Sequence, residues 1–187
     1  PSGVTLSLGR RQKLVEIAHR YGLIIMEDDP YGSVRFEGED LPTLCSLDGE
    51  GCVLYAGSFS KILAPGTRVG WCVGPAELIR TLAVFKQGAD TSTSVVSQAL
   101  VYKYCASGAL DANLPKIVDN YRRKRDLMEA ALRKYLPPGE AEWVTPHGGF
   151  FYWITTPRID GRELFERAIA RKVAFVVGGP FFPNGGG

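Results

Sequence analysis

The chain has 187 residues, with 22 Lys and Arg against 20 Asp and Glu, and it is 45% hydrophobic and 22% charged, as an ordinary folded protein is. A net charge of +2 offers no basic footprint for nucleic acid. No apolar run approaches the ~18 residues that a membrane helix needs. Four cysteines without a CxxC and two distant histidines make no metal-ligand pattern, so no metal is expected. Glycine is the skewed component at 22 of 187 residues, about 12% against a usual share of roughly 7%. Tight turns and close backbone approaches are therefore expected.

The unpaired cysteine spacing and the lack of a leading signal segment predict a reduced, cytoplasmic protein. Pro1 rather than Met at the start, and Gly185 to Gly187 at the end, suggest a piece of a longer chain.

Along the chain, Leu14, Ile17, Ala18 and Tyr21 recur at helical spacing and Gly22 follows as a stop. His19 on this helix is expected at the surface. Leu23-Ile24-Ile25-Met26, ending in Glu27-Asp28-Asp29-Pro30, predicts a buried strand running into a polar loop. Val53-Leu54-Tyr55-Ala56 and Val69 to Gly74 predict two more strands, and Pro75 suits the first turn of a helix carrying Leu78, Ile79, Leu82 and Phe85. Residues 91–106 predict a buried helix. A long helix follows at about 113–136, with the basic run Arg122 to Arg125 on a solvated face, and Pro137-Pro138-Gly139 stops it.

Beyond that helix, Trp143-Val144 and Gly149 to Ile154 predict aromatic strands. Asp160 with Glu163 predicts a capping box, and Val173 to Val177 a last strand. Strands alternating with helices give an α/β, mostly parallel sheet first and an α+β unit afterwards. The division expected is 1–112 and 113–187, with the long helix as the bridge.

In open α/β sheets ligands collect at the carboxyl ends of strands. Two polar clusters fall there: Asp28, Asp29 and Tyr31, and then Ser58, Ser60 and Lys61 with Arg68 beyond. Read singly, Lys61 is also compatible with loop decoration, and either acid with a turn ahead of Pro30. Read together, two hydroxyls and a guanidinium suit a phosphate. A lysine amine, ordinarily protonated at pH 7, becomes useful beside a cofactor that changes its state. A phosphorylated aldehyde fits this set. If that aldehyde is pyridoxal phosphate, a carboxylate can keep its ring nitrogen protonated, and Tyr31 can bond the phenolic oxygen.

Glu27-Asp28-Asp29-Pro30-Tyr31-Gly32, Gly57 through Gly70 around Ser58-Phe59-Ser60-Lys61, and Pro146-His147-Gly148-Gly149-Phe150-Phe151 together resemble the fold-type-I, class I/II aminotransferases. The similarity is to the branch with 2-aminoadipate, aromatic and branched-chain aminotransferases, and Pro1-Ser2-Gly3 resembles the end of that family's Asn-Pro-x-Gly turn. The resemblance implies a PLP-transferase large domain followed by most of a small α+β domain. Pyridoxal phosphate would be held on Lys61, which also shuttles the proton. Asp28 would meet the ring nitrogen, Tyr31 the phenolic oxygen, and Ser58, Ser60 and Arg68 the phosphate. An amino acid and a 2-oxo acid would be the substrates, and the protein would be a homodimer. Asp29 inherits no role and is expected to be structural. The family's turn asparagine and substrate-carboxylate arginine have no counterpart in this sequence; neither Arg158 nor Arg162 matches. With half a pocket, the 187 residues alone are expected to be inactive.

Three alternatives remain: an aminotransferase-like sensor domain of a winged-helix transcription regulator, a lyase or decarboxylase on the same cofactor, and a serine acyl-enzyme. Ser58-Phe59-Ser60-Lys61 satisfies the S-x-x-K pattern of the last, but its companion SDN and KTG motifs are missing from the sequence.

Overall fold

The computed structural model describes residues 2–184. Pro1 and Gly185 to Gly187, on which the readings of the two chain ends rest, lie outside the described residues. The contacts divide the chain into two compact units. One comprises Val4–Lys124 with His147–Phe150, and the other Ser2, Gly3, Arg125–Pro146 and the chain from Phe151 on.

In the first unit, α1 (Leu8–Tyr21) ends at Gly22, whose left-handed backbone (φ 62°) lets its N–H reach the carbonyls of Ala18 and His19. The chain then enters β1 (Ile25–Asp28), which pairs in parallel with β2 (Val53–Ser58) so that Ile25 faces Val53 and Asp28 faces Ala56. β3 (Gly70–Val73) returns antiparallel on the other side of β2, with Ser58 opposite Gly70. The connection from β2 to β3 is too short for a helical crossover, which is why this pair is antiparallel.

Val15 and Ala18 of α1 pack with Leu44 of α2 (Leu44–Leu47), Cys52, Val53 and Ile25 on one face of the sheet. Glu27 points the same way, and its two carboxylate oxygens accept the N–H groups of Leu44 (2.8 Å) and Cys45 (3.0 Å). Met26 and Asp28 fall on the opposite face and are exposed. The strands depart in part from the buried runs expected: Val53 and Leu54 of β2 are buried, but Met26 is 67% exposed and β3 is exposed throughout.

His19 is not a free surface residue. Its Nε2 lies 2.8 Å from Asp48 Oδ1 and its Nδ1 3.4 Å from Glu50. Asp48 also accepts the N–H groups of Glu50, Gly51, Cys52 and Val53 at 2.7 to 3.0 Å. Burial alone would raise the Asp48 pKa, but the bonds from His19 and these backbone groups hold it far below the usual carboxylate range. With its oxygens so occupied, the buried carboxylate anchors the loop that launches β2.

α3 (Ala76–Asp90) starts after Pro75 as expected. α4 (Val95–Ala106) is capped by Ser94, which accepts the Ser97 N–H. Burial of α4 is corrected by the structure. Val101 is buried, but Val95, Val96, Leu100 and Tyr102 are exposed, because no described segment packs over that face. The long helix α5 spans Ala109–Tyr135. Its Leu110, Leu114, Val118 and Tyr121 pack on a second core of Val34, Phe36 and Ile62, joined by Phe59 and Phe150.

The basic run on α5 is only partly solvated. Arg123 is exposed and pairs with Asp119, but Arg122 donates Nε and Nη2 to the carbonyl oxygen of Phe36 (3.2 and 2.7 Å). Arg125, in the other unit, is buried and donates to the Pro146 carbonyl oxygen at 2.8 Å. Guanidinium groups with aliphatic stems can satisfy backbone carbonyls in this way.

In the second unit, the aromatic strands shrink to two antiparallel pairs between β4 (Glu142–Trp143) and β5 (Ile154–Thr155). Glu129 organises the interior: Tyr152 Oη (3.0 Å) and Trp143 Nε1 (3.1 Å) both donate to it. α6 (Gly161–Ile169) is capped by Asp160, which accepts the N–H groups of Arg162 and Glu163. The reciprocal half of the expected capping box is replaced by an ion pair of Glu163 with Arg167. Residues 173–177 form no strand; among the described residues no strand lies beside them to pair with, and Val173 and Val176 are exposed.

Candidate active site

The carboxyl end of β1 sends its two adjacent acids to different places. Asp29 extends the ladder, its N–H donating to Ala56 O at 2.9 Å. Its carboxylate receives the Tyr55 hydroxyl (3.4 Å) and sits so close over Gly32 that a Cβ there would collide with it. Burial first, and then the Asp29 charge, raise the Tyr55 pKa. Asp28 instead acts on Tyr31, whose phenol is pushed up by burial and next by the negative charge of Asp28. The two acids are therefore not equivalent: Asp29 is taken up by Tyr55 and the turn at Gly32, and Asp28 acts on Tyr31 by its charge.

At the end of β2 the chain turns tightly. Leu63 and Ala64 N–H both donate to Phe59 O (2.9 and 3.2 Å), and Ile62, 7% exposed, pins the turn into the second core. Lys61, half-buried, is thereby carried back toward β1: its Nζ lies 5.9 Å from the centre of the Tyr31 ring. Ser58 Oγ donates to Ser60 Oγ at 3.0 Å and accepts the Ser60 N–H at 3.1 Å. The two hydroxyls form one small cluster beside the lysine.

Arg68 lies just ahead of β3, near the point where the ladder begins: Ser58 faces Gly70, and Phe59 N–H donates to Val69 O at 3.1 Å. Arg68 occupies the left-handed region (φ 52°) at the end of a 3-10 turn over Pro65–Thr67, a conformation uncommon for a non-glycine residue. Its guanidinium donates to Pro65 O at 3.5 Å.

The structure thus groups Asp28, Tyr31 and Lys61, and separately Ser58 and Ser60, whereas the Arg68 guanidinium bonds the Pro65 carbonyl. The Ser58 hydroxyl bonds Ser60 and not Lys61, whereas an acyl-enzyme serine needs its base within hydrogen-bond reach.

Phe150, from the Pro146–Phe151 segment, and Tyr121 of α5 join this group through their rings. Phe150 meets the Tyr31 ring edge-on at 5.2 Å and stacks on Tyr121 at 4.0 Å. Gly148-Gly149, just ahead of Phe150, was the available signal of a close backbone approach.

The fold is α/β, with Lys61 just past the carboxyl ends of the parallel strands β1 and β2. The chain belongs to the family "Aminotransferase class I and II", which matches residues 1–183. It is similar to aromatic-amino-acid aminotransferase 1 of Thermococcus litoralis, 44% identical over 185 residues, which are 98% of this chain and 44% of that protein. A crystal structure of Pyrococcus horikoshii kynurenine aminotransferase, in complex with PMP, kynurenine and its product, superposes with TM-score 0.93 at 43% identity. That match covers 97% of this chain and 45% of the other. An HTH-type transcriptional regulator of Bacillus subtilis, YdfD, is 32% identical over 179 residues, 95% of this chain and 37% of the regulator. The chain spans about half the length of the aminotransferase relatives it matches.

Proposed function

We propose that this chain is the lysine-bearing part of a pyridoxal-phosphate-dependent aminotransferase, which moves an amino group between an amino acid and a 2-oxo acid. The observation that carries the reading is the placement of the Lys61 amine over the Tyr31 ring, beside an acid that acts on Tyr31 and next to a pair of serine hydroxyls. The similar aminotransferases, one of them solved with PMP, support it.

The donor chemistry suits the cofactor. Asp28 faces Ala56, and Ser58 lies two residues further along β2, about 7 Å of strand. That separation leaves room for a pyridine ring with a carboxylate at one end and its phosphate arm at the other. When bound, pyridoxal phosphate supplies an electron-withdrawing ring that acidifies the α-hydrogen of an amino acid.

The remaining work belongs to the protein. Asp28 would hold a proton on the ring nitrogen by its charge, and Tyr31 would donate its hydroxyl hydrogen to the phenolic oxygen. The Ser58 and Ser60 hydroxyls, with the Arg68 guanidinium, would hold the phosphate. The Lys61 amine would hold the cofactor at rest and, when free, would serve as the base that takes the substrate's α-proton and as the acid that gives it back. Residues 1–112 fit part of a large domain, and 113–187 the bridging helix and part of a small one. The exposed apolar residues of α3 and α4 suit a homodimer, and four free thiols suit the cytoplasm.

The test is transamination by the natural protein. Lys61→Ala is expected to abolish it while pyridoxal phosphate still binds weakly; turnover by that variant would contradict the reading. The regulator relative favours a second reading, a cofactor-sensing domain. That reading predicts Lys61-dependent binding of pyridoxal phosphate with no 2-oxo acid formed from any amino acid.

A further inference from the structure

Phe150 reaches the site from more than 110 positions downstream of Tyr31. The turn that delivers it is pinned to residues 34–36, with Gly149 N–H on Val34 O at 2.8 Å and Phe36 N–H on His147 O at 2.7 Å. Arg35 and Gly148 are bridge partners. A side chain at Gly148 would place Cβ 2.7 Å from Val34 O, and Gly149 is left-handed at φ 77°, so the backbone contact depends on both glycines.

The outcome is an aromatic relay. The Phe150 ring stands at 66° to Tyr31 with centroids 5.2 Å apart, and it lies nearly parallel to Tyr121, at 20° and 4.0 Å. Tyr121 is itself covered by Lys124, whose Nζ is 4.8 Å above its ring. Arg122, the next residue of α5, grips the Phe36 carbonyl and so ties the same helix to the segment that follows Tyr31. The Tyr31 ring is thus fixed by Phe150, while Lys61 lies 5.9 Å from its centre.

We propose that Phe150, backed by Tyr121, is a positioning residue: it sets the direction of the Tyr31 hydroxyl and so tunes the ionisation of the bound cofactor. This rests on the reading that Lys61 carries pyridoxal phosphate and Tyr31 bonds it. An edge-on aromatic contact is directional, which a leucine of similar bulk is not.

The experiment uses the natural protein loaded with pyridoxal phosphate. Its readouts are the pH midpoint of the bound cofactor's visible absorbance, the cofactor's dissociation constant, and Tm. Tyr31→Phe is expected to move the midpoint. Phe150→Leu should move it in the same direction by less and weaken cofactor binding about two- to tenfold, the range an aromatic pair accounts for. The double variant should shift no further than Tyr31→Phe alone. Tyr121→Phe, which keeps the stack, should match the parent. If Phe150→Leu does not fold, Tyr121→Leu makes the same perturbation one ring further out and should give a smaller shift of the same sign.

A lowered Tm with an unmoved midpoint overturns the proposal, as do shifts that add in the double variant. A visible band that survives Lys61→Ala overturns the underlying reading instead, and this inference with it.

Discussion

At Gly148 the absence of a side chain is a structural requirement. A methyl group at Gly148 would press on the Val34 carbonyl, a backbone atom that cannot swing aside, at 2.7 Å. Gly148→Ala is therefore expected to lower stability by about 2 kcal/mol, read as a fall in the denaturant midpoint. Gly66→Ala, with nothing within 4 Å of its Cβ, should stay within about 0.5 kcal/mol of the parent. The two acids after β1 separate in the same residue-by-residue way. Asp28→Asn should cost most of the transamination rate, because an amide cannot hold a proton on the ring nitrogen. Asp29→Asn, which disturbs only the Tyr55 contact and the turn at Gly32, should cost far less; equal losses would refute the pairing. The proposed site of Lys61, Asp28, Tyr31, Ser58, Ser60 and Arg68 could be put forward from sequence because each residue type suits the chemistry and each lies close to a strand end. The ring contacts of Phe150 with Tyr31 and Tyr121 could not, since they join distant segments that no local pattern announces.

Elements whose ends carry their own chemistry were read well, such as α1 with Gly22 and α6 with Asp160. Elements that depend on a neighbour were read badly. Val173 to Val177 has strand composition, but a strand needs a partner ladder. His19 seemed a surface residue because its partner, Asp48, is distant in sequence.

The Asp48 anchor gives a test at this scale. Folding favours its charged form, so the stability it contributes is in place above the ordinary Asp pKa of 3.8 and is lost as pH falls below that value. Glu129, depressed by the Tyr152, Trp143 and Thr145 bonds that outweigh its burial, adds a loss of the same sign below its ordinary 4.5. Asp48→Asn should lower unfolding free energy at pH 7 by roughly 2 kcal/mol, since backbone donors lose their charged acceptor. It should also flatten the acid limb of the stability curve between about pH 5 and 2. An unchanged acid limb in urea titrations would show that the anchor carries no pH dependence.

For the molecule as a whole, the dominant fact is uncovered apolar surface. Leu82, Val84 and Phe85 of α3, Val95, Val96, Leu100 and Tyr102 of α4, and Met26 on the open sheet face are all exposed, and patches on this scale mark surfaces meant to be covered. The 187 residues by themselves are expected to self-associate and bind a hydrophobic dye; a monodisperse, dye-silent monomer in sedimentation would contradict this. It also explains why hydrophobicity alone misjudged α4: an apolar helix announces that it will be buried, not by what.

The account depends most on Lys61. Borohydride reduction of the natural protein with pyridoxal phosphate, followed by peptide mass mapping, tests it most directly. The prediction is that the reduced cofactor's mass sits on the peptide containing Lys61 and is lost in Lys61→Ala. Labelling at another lysine, or none, would contradict it.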